Sequence, residues 1–132
     1  MPRLLSRHLA KLALFAVAIP TLSFGQDADA GKRVFTKCMA CHSIGPGATN
    51  KVGPELNGLF GRKAGSVAGY NYSDANKNSG ITWTEQEFAA YIRDPQSVVK
   101  GTKMSFPGLK NDKDVADITA FLKTFGPDGK PM

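Results

Sequence analysis

The pentapeptide at residues 38–42, Cys-Met-Ala-Cys-His, carries the strongest chemical signal in this chain. Two thiols at this spacing can bond covalently to the two vinyl groups on one edge of a haem, and the histidine that follows can reach the iron. A Cys-x-x-Cys pair also occurs as a disulfide, as a thioredoxin-type redox pair and as half of a zinc site. The added histidine favours one c-type haem, attached through Cys38 and Cys41 and ligated by His42.

The rest of the sequence weakens two of the three alternatives. Zinc prefers four ligands, whereas the chain has only two cysteines and two histidines, and His8 falls in a predicted leader. A thioredoxin pair follows a strand in a βαβ unit, whereas the flanks here have the patterns of a helix and a glycine-rich loop. A disulfide therefore stays as the main alternative to covalent haem.

A haem ligated by His42 needs a second ligand on its opposite face, and elimination points to one methionine. No second histidine remains after the leader. Met1 is the initiator, Met39 lies inside the attachment segment, and Met132 is the last residue. Met104 remains, in a loop punctuated by glycine and proline. Because a thioether ligand favours ferrous iron, a His42/Met104 pair would raise the reduction potential.

Residues 1–25 have the pattern of a cleavable signal peptide. Arg3, Arg7 and Lys11 precede an apolar run from Leu12 to Ile19, and small residues favour cleavage after Gly25. The run is shorter than the roughly 20 residues that span a bilayer, so an uncleaved anchor is the weaker alternative. A mitochondrial presequence would be amphipathic. We predict export to a bacterial periplasm.

The remaining residues, 26–132, fit a single domain by their length. The leader carries three basic and no acidic residues, so its removal lowers the net charge from +6 to +3. Two haem carboxylates would cancel up to two of these charges, and the net charge therefore does not indicate which kind of partner the protein binds. Without a basic run or a known nucleic-acid module, we expect no nucleic-acid partner.

Apolar periodicity predicts an all-α domain with a helix near each end. One helix is expected over residues 27–38, and another begins near Asp112 and ends at Phe125, before Gly126. Gly31 inside the first helix costs roughly 1 kcal/mol relative to alanine. We therefore expect the two helices to cross with Gly31 at their contact.

A middle helix has the clearest start signal. Thr84 and Glu87 form a capping box, in which each side chain satisfies the other residue's backbone N–H. The helix must end near Asp94, because Pro95 disfavours the helical conformation of the residue before it. A short helix can restart at Pro95, and another short turn is expected over residues 73–78.

Residues 45–69 contain seven glycines and no clear periodicity. A structureless stretch of about 25 residues is unusual in a compact domain. A haem would supply the missing core, with glycines letting the backbone lie against it.

Further motifs accompany the haem-attachment pentapeptide. They are Gly31-x-x-x-Phe35, Gly53-Pro54-x-Leu56-x-Gly58, Tyr72-Ser73-Asp74-Ala75-Asn76-Lys77, Gly80-Ile81-Thr82-Trp83, Gly101-Thr102-Lys103-Met104 and Phe121-Leu122-Lys123. With them, residues 27–125 resemble class I cytochrome c, most of all mitochondrial cytochrome c and the short bacterial cytochromes c2 and c550. The resemblance implies crossing N- and C-terminal helices, a middle helix and glycine-rich loops wrapped around one covalent haem.

The resemblance also implies roles for residues around the haem. The Pro54 carbonyl would accept a hydrogen bond from the ligating histidine ring and raise its basicity. Arg62, Tyr72 and Trp83 would hold one buried haem propionate, and Thr102 the other.

Around the second ligand, the resemblance implies a polar network and an aromatic neighbour. Tyr91, Asn76 and Thr102 would form the network near the Met104 sulfur. Phe106 would pack at the exposed haem edge.

By the same resemblance, the chain is a soluble, monomeric one-electron carrier and not an enzyme. It would take electrons from a quinol-oxidising, bc1-type complex and pass them to a terminal oxidase, a reductase or a photosynthetic reaction centre. Lys37, Lys51, Lys103 and Lys110 would dock onto acidic patches of these membrane complexes. A dedicated acceptor for a periplasmic dehydrogenase is the alternative, and a haem peroxidase or gas sensor would need an open position on the iron.

Overall fold

The computed structural model describes residues 15–19 and 25–132, in which the ordered elements are helices. Most of the predicted leader, including the residues just before Gly25, lies outside the described residues. The helices are α1 (Ala28–Phe35), α2 (Asp74–Lys77), α3 (Glu85–Arg93), α4 (Pro95–Val98) and α5 (Asp112–Lys123). The all-α prediction is confirmed. Within the described part of the chain, no helix has the length and hydropathy needed to cross a membrane.

The first and last helices cross at Gly31, as predicted. A Cβ atom at this glycine would overlap the Asp117 carbonyl oxygen and lie 2.7 Å from the Cβ of Phe121. Beside this contact the rings of Phe35 and Phe121 pack with their centroids 5.3 Å apart. The close approach of the two backbones explains why a glycine stands inside α1.

Both long helices end slightly earlier than predicted. α1 ends at Phe35 instead of residue 38, and the chain continues as turns in which Cys38 N–H donates to Phe35 O over 2.8 Å. α5 ends at Lys123 instead of Phe125, and Phe125 N–H donates to Leu122 O. Bonds of this i to i+3 kind tighten the end of a helix and satisfy its last carbonyls.

The start of α3 confirms half of the predicted capping box. Thr84 Oγ1 accepts from the Glu87 N–H over 3.1 Å. The predicted reciprocal bond, from the Thr84 N–H to the Glu87 carboxylate, is wrong, because the Thr84 N–H donates to Thr82 O over 2.8 Å. The predicted break and restart are confirmed, since α4 begins at Pro95 with Asp94 as its cap.

The long glycine-rich stretch is irregular, as expected, but its backbone is well bonded. Gly45 and Asn57 exchange two hydrogen bonds, from Gly45 N to Asn57 Oδ1 (2.8 Å) and from Asn57 Nδ2 to Gly45 O (2.9 Å). Further along, an antiparallel bridge joins Lys63 to Thr82. These links fix the loop between α1 and the start of α3.

We predict that Gly31→Ala destabilises the protein by about 1–3 kcal/mol, because the new methyl group must push α1 away from α5. Guanidinium unfolding of the haem-loaded protein measures this change. Lys32→Ala, at the exposed neighbouring position, is the control. An unfolding free energy for Gly31→Ala equal to that of the control would contradict the close helix contact.

Candidate haem site

A cavity lies between the Cys-x-x-Cys-His segment, α3, α5 and the loop that carries Met104. Its apolar wall includes Leu59, Phe88, Ile92, Ile118 and Leu122. The cavity also collects eleven of the twelve residues predicted to surround a haem: Cys38, Cys41, His42, Pro54, Arg62, Tyr72, Asn76, Trp83, Tyr91, Thr102 and Met104.

Phe106 is the twelfth predicted residue, and its predicted packing at the exposed haem edge stays a prediction. It packs partly buried against the hydrophobic core and is not among the residues of the cavity wall. Two positions earlier, Met104 does contribute to the wall.

The His42 ring is held in one orientation and one tautomer. Its Nδ1 lies 2.7 Å from the carbonyl oxygen of Pro54. Because a carbonyl oxygen can only accept, Nδ1 carries the proton and Nε2 keeps a free lone pair. Burial lowers the pKa of His42 and favours the neutral ring, although the Pro54 bond opposes this shift. The ring is thus prepared to bind a metal through Nε2.

Gly53 makes room for this ring. A Cβ atom at Gly53 would overlap Cε1 of His42 and lie within 2.8 Å of both ring nitrogens. The same residue fixes the segment in place, since its N–H donates to Cys41 O over 2.7 Å. The position beside the histidine therefore requires a residue without a side chain.

The two cysteines are free thiols, and their setting does not suit a redox pair. Burial raises the pKa of the Cys38 thiol to about 11, with the nearby Lys37 charge opposing the shift. A thioredoxin-type cysteine has the opposite property, a lowered pKa that favours the reactive thiolate. In residues 15–19 and 25–132, no group of three or more His, Cys, Asp or Glu side chains is placed to hold a metal ion. The zinc and thioredoxin alternatives thus gain no support.

The Met104 thioether sits at the end of a hydrogen-bonded relay. The Tyr91 hydroxyl donates to Met104 Sδ over 3.3 Å, and Tyr91 Oη also lies 3.3 Å from Thr102 Oγ1. Tyrosine has one hydroxyl proton, so with that proton on the sulfur, Thr102 must donate to Tyr91. Thr102 in turn accepts from the Met104 N–H.

This relay bears on two expectations drawn from the resemblance. With the Tyr91 proton on the sulfur, the Thr102 hydroxyl is engaged with Tyr91, and its bond to a haem propionate stays a prediction. Asn76 lines the cavity but stays outside the network, because its Oδ1 is buried with no hydrogen-bond partner among the described residues. Among the described residues, the hydrogen bonds that reach the Met104 sulfur thus run through Tyr91 and Thr102, while Gln96 Nε2 donates to the backbone oxygens of Thr102 and Met104.

On another part of the wall, hydrogen-bond donors are available for an acidic group. Arg62 Nε is buried and has no partner among the described residues. Tyr72 Oη accepts from the Val67 N–H over 3.1 Å, which leaves its own proton free to donate. Trp83 is buried with its ring centroid 5.0 Å from that of Tyr91. An unsatisfied cationic donor in a largely apolar cavity fits a ligand that carries carboxylates, as haem does.

Two residues near the cavity were missed by sequence reasoning. The Tyr70 hydroxyl donates to Val52 O over 2.7 Å, and Lys103 Nζ lies 4.7 Å from the centre of its ring. Tyr70 thus links the segment beside Gly53 with the loop of Met104.

The second missed residue is Glu55, which lies beside Arg62 with its Oε1 3.6 Å from Arg62 Nη1. An aromatic residue and an acid in a glycine-rich loop gave no periodic signal that could have revealed them.

The four lysines predicted to dock partners are all exposed, but they differ in their contacts. Lys103 alone among them belongs to the cavity wall. Lys37 pairs with Asp114 over 3.4 Å, whereas the Lys51 and Lys110 ammonium groups donate to backbone carbonyls.

Comparison with known proteins agrees with this geometry. The family model described as cytochrome c matches residues 28–126. The chain belongs to the cytochrome c family. It is 61% identical over 104 residues to cytochrome c2 of Blastochloris viridis, covering 79% of this chain and 82% of that protein. It is 58% identical over 103 residues to cytochrome c-550 of Bradyrhizobium diazoefficiens, covering 78% and 76%.

A solved structure gives the same result for the fold. Cytochrome c2 from Rhodospirillum centenum matches with a TM-score of 0.73 and 38% identity, over 76% of this chain and 99% of that one. As a member of this family, the protein is an electron carrier that holds haem c, and it is not an enzyme. Cys38 and Cys41 are suited to the covalent attachment.

We predict that Gly53→Ala lowers both the haem content and the stability, the latter by about 1–3 kcal/mol, because the methyl group displaces the His42 ring. The haem-to-protein ratio and guanidinium unfolding measure the two effects. Gly126→Ala is a matched control, since its new methyl group would meet no atom closer than 3.2 Å. Normal haem content in Gly53→Ala would contradict the placement of the ring.

Proposed function

We propose that the protein is a soluble periplasmic carrier that takes single electrons from a bc1-type complex and delivers them to a terminal oxidase, a reductase or a reaction centre. The observation that carries this proposal is the pairing of two prepared ligand groups, His42 and Met104, in the wall of one cavity. Bacterial relatives named cytochrome c2 and c-550 support the same function.

In this proposal, His42 Nε2 and Met104 Sδ would bind the haem iron, and Cys38 and Cys41 would form the thioether links. The haem supplies one-electron exchange between ferrous and ferric iron. His42 is oriented by Pro54, and Met104 is oriented by Tyr91. Two protein ligands leave no open position for peroxide or a gas, which argues against the peroxidase and sensor alternatives.

The other side chains of the cavity wall would adjust the reduction potential without bonding to the haem iron. Apolar side chains such as Leu59 and Ile118 exclude water, which disfavours the extra positive charge of the oxidised state. Arg62 Nε and the Tyr72 hydroxyl are free to donate to a haem carboxylate. Holding the carboxylate in place would keep its charge at a fixed distance from the iron.

The predicted leader supports the periplasmic location, and we propose cleavage after Gly25. Asp27 is then close to the new N-terminus, where its side chain caps α1 by accepting from the N–H groups of Asp29 and Ala30. Its own N–H donates to Asp117 Oδ1 over 3.1 Å. Cleavage at this position would preserve the complete α1 cap, and the mature protein of residues 26–132 would act as a monomer.

Lys37, Lys51, Lys103 and Lys110 are proposed to steer the protein onto acidic surfaces of its redox partners. We predict that neutralising Lys51 and Lys110 together, each by substitution with Gln, slows reduction by the native bc1-type complex and oxidation by the native oxidase about three- to tenfold at low salt. Stopped-flow rates at increasing ionic strength measure the effect, which should shrink as salt screens the charges.

The matched control replaces Lys123 and Lys130, two exposed lysines outside the proposed docking group, with Gln. It removes the same charge and should leave the rates within about twofold of wild type. Rates that do not respond to ionic strength in any of the three proteins would contradict docking through this group of lysines. Absence of electron exchange with both complexes would contradict the proposed function.

We predict that Tyr91→Phe lowers the reduction potential by roughly 10–40 mV, where 59 mV corresponds to a tenfold change for one electron. A hydrogen bond to Met104 Sδ draws electron density from the sulfur and so favours ferrous iron, and Phe removes that bond. Spectroelectrochemical titration measures the shift. Tyr70→Phe, which also removes a hydroxyl but has no bond to the sulfur, is the control. An equal shift in both variants would contradict this role of Tyr91.

A further inference from the structure

The guanidinium group of Arg62 is enclosed by a short segment of the glycine-rich loop. Its Nη1 donates to Asn57 O over 3.0 Å, and its Nη2 donates to Glu55 O over 3.1 Å. The Glu55 carboxylate lies beside it, with Oε1 3.6 Å from Nη1. The two side chains are only 16% and 22% exposed, so water screens this ion pair less than one on the surface.

The Glu55 side chain is itself fixed at this position. Its Oε2 accepts from the Asn57 N–H over 2.6 Å, and its own N–H donates to Asn50 Oδ1 over 3.0 Å. The Asn57 bond therefore holds the carboxylate beside Arg62, and the Asn50 bond fixes the backbone from which the side chain starts. It is not a surface charge that can swing freely into solvent.

The arrangement determines which part of Arg62 is available to a ligand. Both Nη atoms already donate to backbone oxygens, whereas the buried Nε has no partner among the described residues. Arg62 contributes to the cavity wall, and Glu55 does not. Glu55 thus stands behind the arginine, where it can orient the guanidinium without touching the ligand.

We propose that Glu55 is a positioning residue that orients Arg62 toward the haem and offsets its positive charge, and so lowers the reduction potential. This inference rests on the proposed function, because it assumes a haem in the cavity. A nearby negative charge stabilises the oxidised state, which carries one more positive charge than the reduced state. Its low exposure makes this effect larger than that of a surface carboxylate at a similar distance.

The test uses Glu55→Gln in the haem-loaded protein, because Gln keeps the shape and can still accept from the Asn57 N–H. In redox equilibrium with wild type, we expect the reduced-to-oxidised ratio of the variant to be at least threefold higher. That ratio corresponds to about 28 mV, given 59 mV for a tenfold change in a one-electron couple. The shift should persist at 0.5 M salt, where the Debye length is roughly 4 Å.

Two controls separate the charge from other effects. Glu87→Gln removes the same charge at an exposed position and should leave the ratio within about 1.5-fold of wild type at 0.5 M salt. Glu55→Asp keeps the charge and shortens the side chain, and it should stay within about twofold. Equal shifts in Glu55→Asp and Glu55→Gln would show that packing is responsible and would overturn the proposal.

Other outcomes are equally decisive. A Glu55→Gln ratio equal to that of Glu87→Gln, or one that favours the oxidised form, would overturn the proposal. If Glu55→Gln does not accumulate with haem, Glu55→Ala is measured instead. Its reduced-to-oxidised ratio is also expected to be at least threefold higher than that of wild type. The ferric far-red band of sulfur ligation is recorded for each protein. Its presence without a shift refutes the role of Glu55 alone, whereas its absence in wild type refutes the proposed function.

Discussion

The structure depends on one constraint, which is that the chain builds its core around a cavity instead of filling it. Phe88 and Ile92 on α3, and Ile118 and Leu122 on α5, all contribute to the cavity wall. Such apolar surface is stable only when it is covered, and burial of apolar area contributes roughly 25 cal/mol per Å². A covalently attached haem covers it permanently, so the fold and the cofactor stabilise each other.

The polar groups of the site follow from the same constraint. A buried polar atom needs a partner, and one side-chain atom of each proposed ligand residue has found a partner within the protein. His42 Nδ1 bonds to the Pro54 carbonyl, while Met104 Sδ accepts from Tyr91. Arg62 Nε and Asn76 Oδ1 have no partner among the described residues, and of the two only Arg62 Nε is a donor that suits the acidic part of the cofactor. Orientation of each ligand group is therefore set before any redox partner arrives.

Local patterns in the sequence were sufficient to predict the helices and the attachment residues. Gly31 predicted the helix crossing because glycine destabilises a helix interior unless another backbone approaches it closely, and the backbone of α5 does so here. Thr84 predicted the start of α3 correctly. The predicted bond from its N–H to Glu87 was wrong, because the Thr82 carbonyl accepts from that N–H instead. Such competition depends on how the chain folds back at the bridge to Lys63, which a local motif does not contain.

Features of the irregular loop could not be predicted in the same way. Glu55 meets Arg62 only because the backbone between them curls around the guanidinium, and no periodicity encodes that curl. The role of Thr102 likewise depends on where a single tyrosine proton goes, which only the three-dimensional relay reveals.

The absorption spectrum of the haem-loaded wild-type protein, in its oxidised and reduced forms, tests the central claim most directly. Ligation by His42 and Met104 predicts a weak far-red sulfur-to-iron charge-transfer band in the ferric form and a sharp α band in the ferrous form. A haem spectrum without the far-red band would contradict Met104 ligation and with it the proposed electron-carrier mechanism. A protein that matures without covalent haem would contradict the account of the cavity itself.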